Sequence, residues 1–207
     1  MKQTLEYEKD LAIIRATMER SAKFLSLSGL SGIMAGIYAL IGAAYAYSVI
    51  YYPSTPLGVR LYVASDSSNL FNLIACALIV LVLSVVTAYV LSIRKAKKNG
   101  ENAWNKPSKL MLINIAIPLV AGGIFTAIMI ANGYYLVFAS STLIFYGIAL
   151  INGSQFTFRD IRYLGLLEIV LGLLSAAYPE LGLVFWAIGF GLLHIIYGSI
   201  MHLKYDR

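Results

Sequence analysis

Two ionisable side chains lie inside long apolar runs, and they are where this chain could do chemistry. Glu168 is the only acid well inside such a run, and His194 sits within the last one. A charge carried into hydrocarbon is expensive, so an ionisable residue there marks a polar tie, a proton relay or an ion path. At helical spacing Glu168 shares its face with Gly165, Gly172 and Ser175, and His194 shares its face with Ala187, Gly191 and Gly198. Small residues on that face point both side chains toward other helices rather than lipid. Glu168 lies six residues beyond Arg162 and His194 ten before Lys204. At about 1.5 Å rise per residue the two are within roughly two turns of each other in depth. A hydrogen bond between them across the last hairpin is therefore expected, serving as a static packing bond or as a relay.

Other polar or special residues read as structural. Gly29, Gly32, Gly36, Ala39 and Ala43 form a small-residue stripe with a GxxxG step. Gly165 with Gly172, Gly182 with Gly189 and Gly191 with Gly198 repeat small residues at seven-residue spacing. Such stripes let backbones approach, within one bundle or between two copies of a chain. Asn114 and Pro118 are four apart, where proline removes a backbone bond and can kink a helix. Ser140, Ser141 and Thr142 are expected to hydrogen-bond between helices. Cys76 is the only cysteine, which excludes an intrachain disulfide and a cysteine metal site. His194 and His202 lie toward one helix end and cannot clamp a haem between them. Without HExxH, GxxxxGK or CxxC, no catalytic residue, cofactor or metal is expected. Gly189-Phe190-Gly191 lacks the third glycine of a dinucleotide loop.

The elements that would position these residues follow from composition. Apolar residues make up 59% of the 207 positions and charged residues 13%, which excludes an ordinary soluble domain. Continuous apolar runs predict membrane helices at about 27–51, 70–93, 110–131, 134–151, 161–177 and 181–201. The expected fold is all-α, a six-helix transmembrane domain over 27–207 preceded by a cytoplasmic amphipathic helix over 1–26. Fifteen of the sixteen Lys and Arg residues fall on one side of this alternation, with Arg60 alone on the other. They lie before the first span (Lys2 to Lys23), between spans two and three (Arg94 to Lys109), between four and five (Arg159, Arg162) and after the last (Lys204, Arg207). The bias predicts both ends in the cytoplasm. It also accounts for the net charge of +6 without nucleic acid, leaving an attraction to anionic lipid heads.

Asn132-Gly133 and Pro179-Glu180 turn the chain at once, predicting antiparallel hairpins for spans three and four and for spans five and six. Tyr51, Tyr52, Tyr134, Tyr135 and Tyr178 form an aromatic belt at that outer boundary. Acidic residues among the first 25 positions argue for a retained anchor rather than a cleaved leader. Tyr7, Leu11, Ile14, Met18 and Leu25 supply the apolar face of the leading helix, which would lie on lipid, on the inner loops or on a cytoplasmic partner. Leu136-Val137-Phe138 with Tyr146-Gly147 echoes Leu183-Val184-Phe185 with Tyr197-Gly198, but the intervals differ, and the match reads as coincidence.

The stretches Met18-Glu19-Arg20-Ser21, Leu27-Ser28-Gly29-Leu30-Ser31-Gly32 and Gly36-Ile37-Tyr38-Ala39-Leu40-Ile41-Gly42 resemble the opening of a group of bacterial polytopic membrane proteins. Gly191-Leu192-Leu193-His194-Ile195-Ile196-Tyr197-Gly198, with Met201 and Lys204-Tyr205, is similar to their close. No activity is established for that group, so the resemblance implies six spans in a bacterial inner membrane and nothing about a ligand. The resulting expectation is a structural, sensory or regulatory membrane component. The alternative is a small transporter or channel, proton-linked, using Glu168 and His194.

Overall fold

A computed structural model describes residues 23–51, 67–100 and 102–206. The leading amphipathic helix and most of the loop between the first two spans, including Tyr52 and Arg60, lie outside the described residues. The described elements are α1 (Gly29–Tyr51), α2 (Ser67–Lys98), α3 (Lys106–Ala131), α4 (Val137–Gly153) and α5 (Asp160–Ala177). The last helix comprises α6 (Gly182–Trp186), a π-wound stretch (Ala187–Leu193) and α7 (His194–Tyr205). Single 3₁₀ turns occupy Ser154–Phe156 and Pro179–Leu181, and no strand occurs among the described residues.

Among the described residues, five stretches are long and apolar enough to cross a membrane: Gly29–Ile50, Asn69–Lys98, Lys106–Ala131, Val137–Phe156 and Pro179–Tyr205. Helix is the conformation such segments adopt because it satisfies every backbone group internally, without water. α5 differs in being 18 residues long and in carrying Asp160, Arg162 and Glu168.

Local chemistry sets the ends. α3 begins at Lys106 rather than Leu110 because Asn105 and Ser108 form a reciprocal capping box, with proline in the first turn. α4 begins at Val137 rather than Tyr134 because the preceding residues make the turn. Gly133 takes φ +84°, and the Tyr134 N–H bonds back to the Met129 carbonyl at 2.9 Å. α2 runs on to Lys98, carrying Lys95, Lys97 and Lys98 in its last turn, where cations favour a helix C-terminus.

The helices pack in a chain of neighbours. α2 lies on α1, α1 on the last helix, the last helix on α5 and α4, α5 on α4, and α4 on α3. α2 is peripheral, exposing Phe71, Ile79, Val82, Val85 and Tyr89 among many apolar side chains. Such a surface suits hydrocarbon rather than water. α3 buries Met111, Pro118, Gly122 and Thr126 along one stripe, with Phe145 of α4 pressed on Gly122.

Candidate functional site

Glu168 lies on the buried face of α5 with Ile161, Leu164, Gly165, Gly172 and Ser175. Its side chain is fully buried, at 0% exposure. The carboxyl seats against Gly189 in the π-wound stretch. A Cβ there would fall 2.5 Å from Glu168 Oε2 and 2.6 Å from a Leu143 methyl, so only glycine leaves the seat open. His194 follows directly, 6% exposed, as the first residue of α7.

Two bonds fix the imidazole. Nδ1 lies 2.9 Å from the Gly189 carbonyl and Nε2 lies 2.7 Å from the Tyr146 hydroxyl. A carbonyl can only accept, so Nδ1–H donates to Gly189, and Nε2 accepts from Tyr146 O–H. The acceptor five residues back suits π winding, since an α-turn would bring the carbonyl four back into line. Tyr146, Phe190 and His194 stack in an aromatic cluster, with ring centroids 4.9 to 5.9 Å apart.

The structure brings Glu168 and His194 together, with Oε1 3.4 Å from Nδ1. That distance is within reach of an ion pair, yet neither carboxyl oxygen has a hydrogen bond. The geometry resolves the conflict: the single Nδ1 proton is committed to Gly189, leaving Glu168 beside the ring without a directed donor.

Comparison with protein-family models, with curated proteins and with solved structures returned no match.

The remaining residues are placed elsewhere. Gly29, Gly32 and Gly36 face the last helix of the same chain, meeting His202, Gly198 and Gly191 respectively. Gly165 and Gly172 face α4, meeting Gly147 and Ile144. The Asn114 amide donates to the Leu110 carbonyl at 2.8 Å, and Pro118 is buried on the α3 stripe. Neither joins the Glu168 cluster. Ser140 and Thr142 bond to backbone of their own helix, while Ser141 also meets the Thr126 hydroxyl of α3 at 2.8 Å. The Cys76 thiol approaches the Gly42 carbonyl at 3.9 Å, where α2 touches α1. Among the described residues, no group of three His, Cys, Asp or Glu could hold a metal ion.

A second polar cluster closes one end of the bundle. Asp206 accepts from Lys95 Nζ at 2.5 Å, from the Gly29 N–H at 2.9 Å, from His202 Nδ1 at 3.0 Å and from Ser28 Oγ at 3.4 Å. One carboxylate thus caps the start of α1 and neutralises the end of α2 while hanging from the end of α7. Lys95 also donates to the Leu27 carbonyl at 2.9 Å and lies 5.3 Å above the Phe158 ring, which stacks on Tyr205. Alongside, Asp160 accepts from Lys204 at 2.8 Å and Tyr205 at 2.9 Å. The Phe24 N–H bonds to the Phe156 carbonyl and Thr157 Oγ1 to the Phe24 carbonyl, both at 2.7 Å.

Burial pushes the Asp206 carboxyl up. The hydrogen bonds from Lys95 and His202, the Lys95 charge and the Gly29 N–H outweigh it, holding the carboxyl below the usual carboxylate range. The Lys204 hydrogen bond holds Asp160 low as well, against a smaller opposing effect of burial. From the sequence, Lys95 and Lys204 read only as topology signals, Gly189 only as a packing glycine and Tyr146 only as part of a coincidental echo, while Asp206 was not singled out. For Tyr146 and Gly189 the available signal was their position within spans. For Asp206 it was a lone acid among basic residues beyond the last span.

Proposed function

We propose that this chain is a six-span integral protein of a bacterial inner membrane, with both ends in the cytoplasm, acting as a structural, sensory or regulatory component. Several contacts support six spans and this orientation. The pairs Lys95–Asp206, Lys204–Asp160 and Phe24–Phe156 gather the even-numbered loops and both described ends at one end of the bundle. That is also where the basic residues concentrate, as the positive-inside rule requires. α5 crosses as the remaining span, its Asp160 and Arg162 at the polar boundary and Glu168 sheltered by neighbouring helices. The leading helix over 1–26 would then lie along the inner membrane face, available to lipid heads or to a cytoplasmic partner.

One observation carries the non-enzymatic, non-transporting reading: Glu168 has no exposed surface and seats against Gly189, beside an imidazole whose two nitrogens are already bonded. A carboxyl sealed in that way serves as a packing element between helices. A second reading, a small proton-linked carrier, draws on the absence of any hydrogen bond to either Glu168 oxygen and on the π winding beside it, a feature frequent at functional sites.

Vesicles containing the purified protein and an internal pH-sensitive dye separate the two. The expected result is no proton flux above empty vesicles, for the natural chain and for Glu168→Gln alike. A flux abolished by Glu168→Gln in a folded protein would establish the carrier reading and sink the first.

A further inference from the structure

Residues 165–172 of α5 read Gly-Leu-Leu-Glu-Ile-Val-Leu-Gly, and residues 191–198 of the last helix read Gly-Leu-Leu-His-Ile-Ile-Tyr-Gly. In a chain so rich in Leu, Ile and Gly the match alone says little, but the crossing helix meets each octapeptide in the same way at its central glycine. A Cβ on Gly147 of α4 would meet the Gly165 carbonyl oxygen at 2.5 Å, Ile169 Cγ1 at 2.7 Å and Ile169 N at 3.0 Å. A Cβ on Gly36 of α1 would meet the same three atoms of the other octapeptide: the Gly191 oxygen at 2.6 Å, Ile195 Cγ1 at 2.6 Å and Ile195 N at 3.0 Å.

The register holds on both sides of that crossing. Four residues after the first glycine, Ile151 abuts Gly165, and Leu40 abuts Gly191. Three residues before it, Ile144 abuts Gly172, and Ile33 abuts Gly198. Both partner helices read Ile-x-x-Gly-Ile at these positions, 33–37 and 144–148. α5 and the last helix are joined by the tight turn at Pro179–Leu181 and run antiparallel, so the two matching pairs point in opposite directions. In this correspondence Glu168 and His194 occupy the same position, and they approach each other at 3.4 Å. Where a two-fold axis relates two surfaces, a residue meets its own counterpart only on the axis.

We infer that α1 with the last helix and α4 with α5 are two copies of one helix-pair unit set in opposite directions, and that Glu168 and His194 are equivalent residues meeting on their pseudo-two-fold axis as the pivot between them. Inside each unit the glycines bring backbones into direct contact and leave no slack. Between units, His194 Nδ1 donates to Gly189 of its own helix at 2.9 Å, and Glu168 Oε1 of the opposite unit waits at 3.4 Å as the alternative acceptor. Relative tilting of rigid units, with that proton exchanging acceptors, is the soft motion of the bundle. Oppositely oriented units moving about a shared axis are a recurring basis of two-state membrane proteins.

The test uses the full chain in detergent, followed by equilibrium unfolding, with E168H, H194E, the exchange variant E168H/H194E, G36A and G147A. Each single change at the pivot should lower the unfolding midpoint, and the exchange variant should recover most of the loss. G36A and G147A should lower it by equal amounts. An exchange variant no better than the combined singles overturns the inference, as does one glycine tolerating alanine where the other does not. Should a single pivot variant fail to fold, the yield of folded exchange variant by size exclusion decides: a folded protein supports the pivot and an unfolded one refutes it.

Discussion

Replacing Asp206 with alanine should loosen three helices at once. The carboxylate is held by Lys95, whose side chain is 12% exposed against 8% for Asp206 itself, so the pair is largely withdrawn from water. Removing the acid leaves the Lys95 ammonium with the Leu27 carbonyl and the Phe158 ring as its remaining partners, and leaves the Gly29 N–H at the start of α1 uncapped. A hydrogen bond between charged groups contributes about 1.5–3 kcal/mol and a helix cap about 1 kcal/mol. Because the two share one carboxylate, they do not add fully, and the expected loss is about 2–4 kcal/mol. Asp206→Asn keeps a capping oxygen but not the charge, so it should cost roughly half as much. Equilibrium unfolding of the purified protein in mixed micelles, read by tryptophan fluorescence, measures both. If Asp206→Ala stays within about 0.5 kcal/mol of the natural chain, the size of an ordinary surface substitution, the end cluster does not hold the bundle together.

Acid should act through the same cluster. Asp160 and Asp206 titrate below the ordinary carboxylate range when folded, so their contribution is complete above the unfolded value and is lost as pH falls through the folded values. Unfolding midpoints measured down an acid series should therefore drop for the natural chain and flatten for a D160N/D206N variant; parallel curves would contradict this. Tyr146→Phe deletes the hydroxyl that serves His194 Nε2 and leaves a buried nitrogen without its donor, costing about 1–3 kcal/mol. A thermal midpoint unchanged by that substitution would show that the imidazole finds another donor.

Much of the architecture was legible from local pattern. The apolar runs, the Asn132-Gly133 and Pro179-Glu180 breaks and the paired glycines each carry their meaning in a few adjacent residues, because helix formation in an apolar solvent and tight turning are local events. The inward faces of Glu168 and His194 followed from neighbours three, four and seven residues away. Helix ends were less legible, since Asn105 with Ser108 and the turn after Gly133 act through particular hydrogen bonds. The internal correspondence was missed for a different reason. Comparison along spans of the same direction paired 136–147 with 183–198, whereas the matching units run in opposite directions and draw their second helices from distant parts of the chain.

By itself, then, the sequence determined helical character, the turns and the inward faces of the ionisable residues. Each depends on composition or on periodicity within one helix. Only the tertiary structure decided that Tyr146 and Gly189, rather than Glu168, take the two nitrogens of His194, that Asp206 reaches across to cap α1, and that Gly36 and Gly147 are equivalent. Those outcomes depend on the relative rotation and depth of separate helices. Close packing at glycine contacts sets them to a fraction of an ångström, and no spacing within a single segment encodes them.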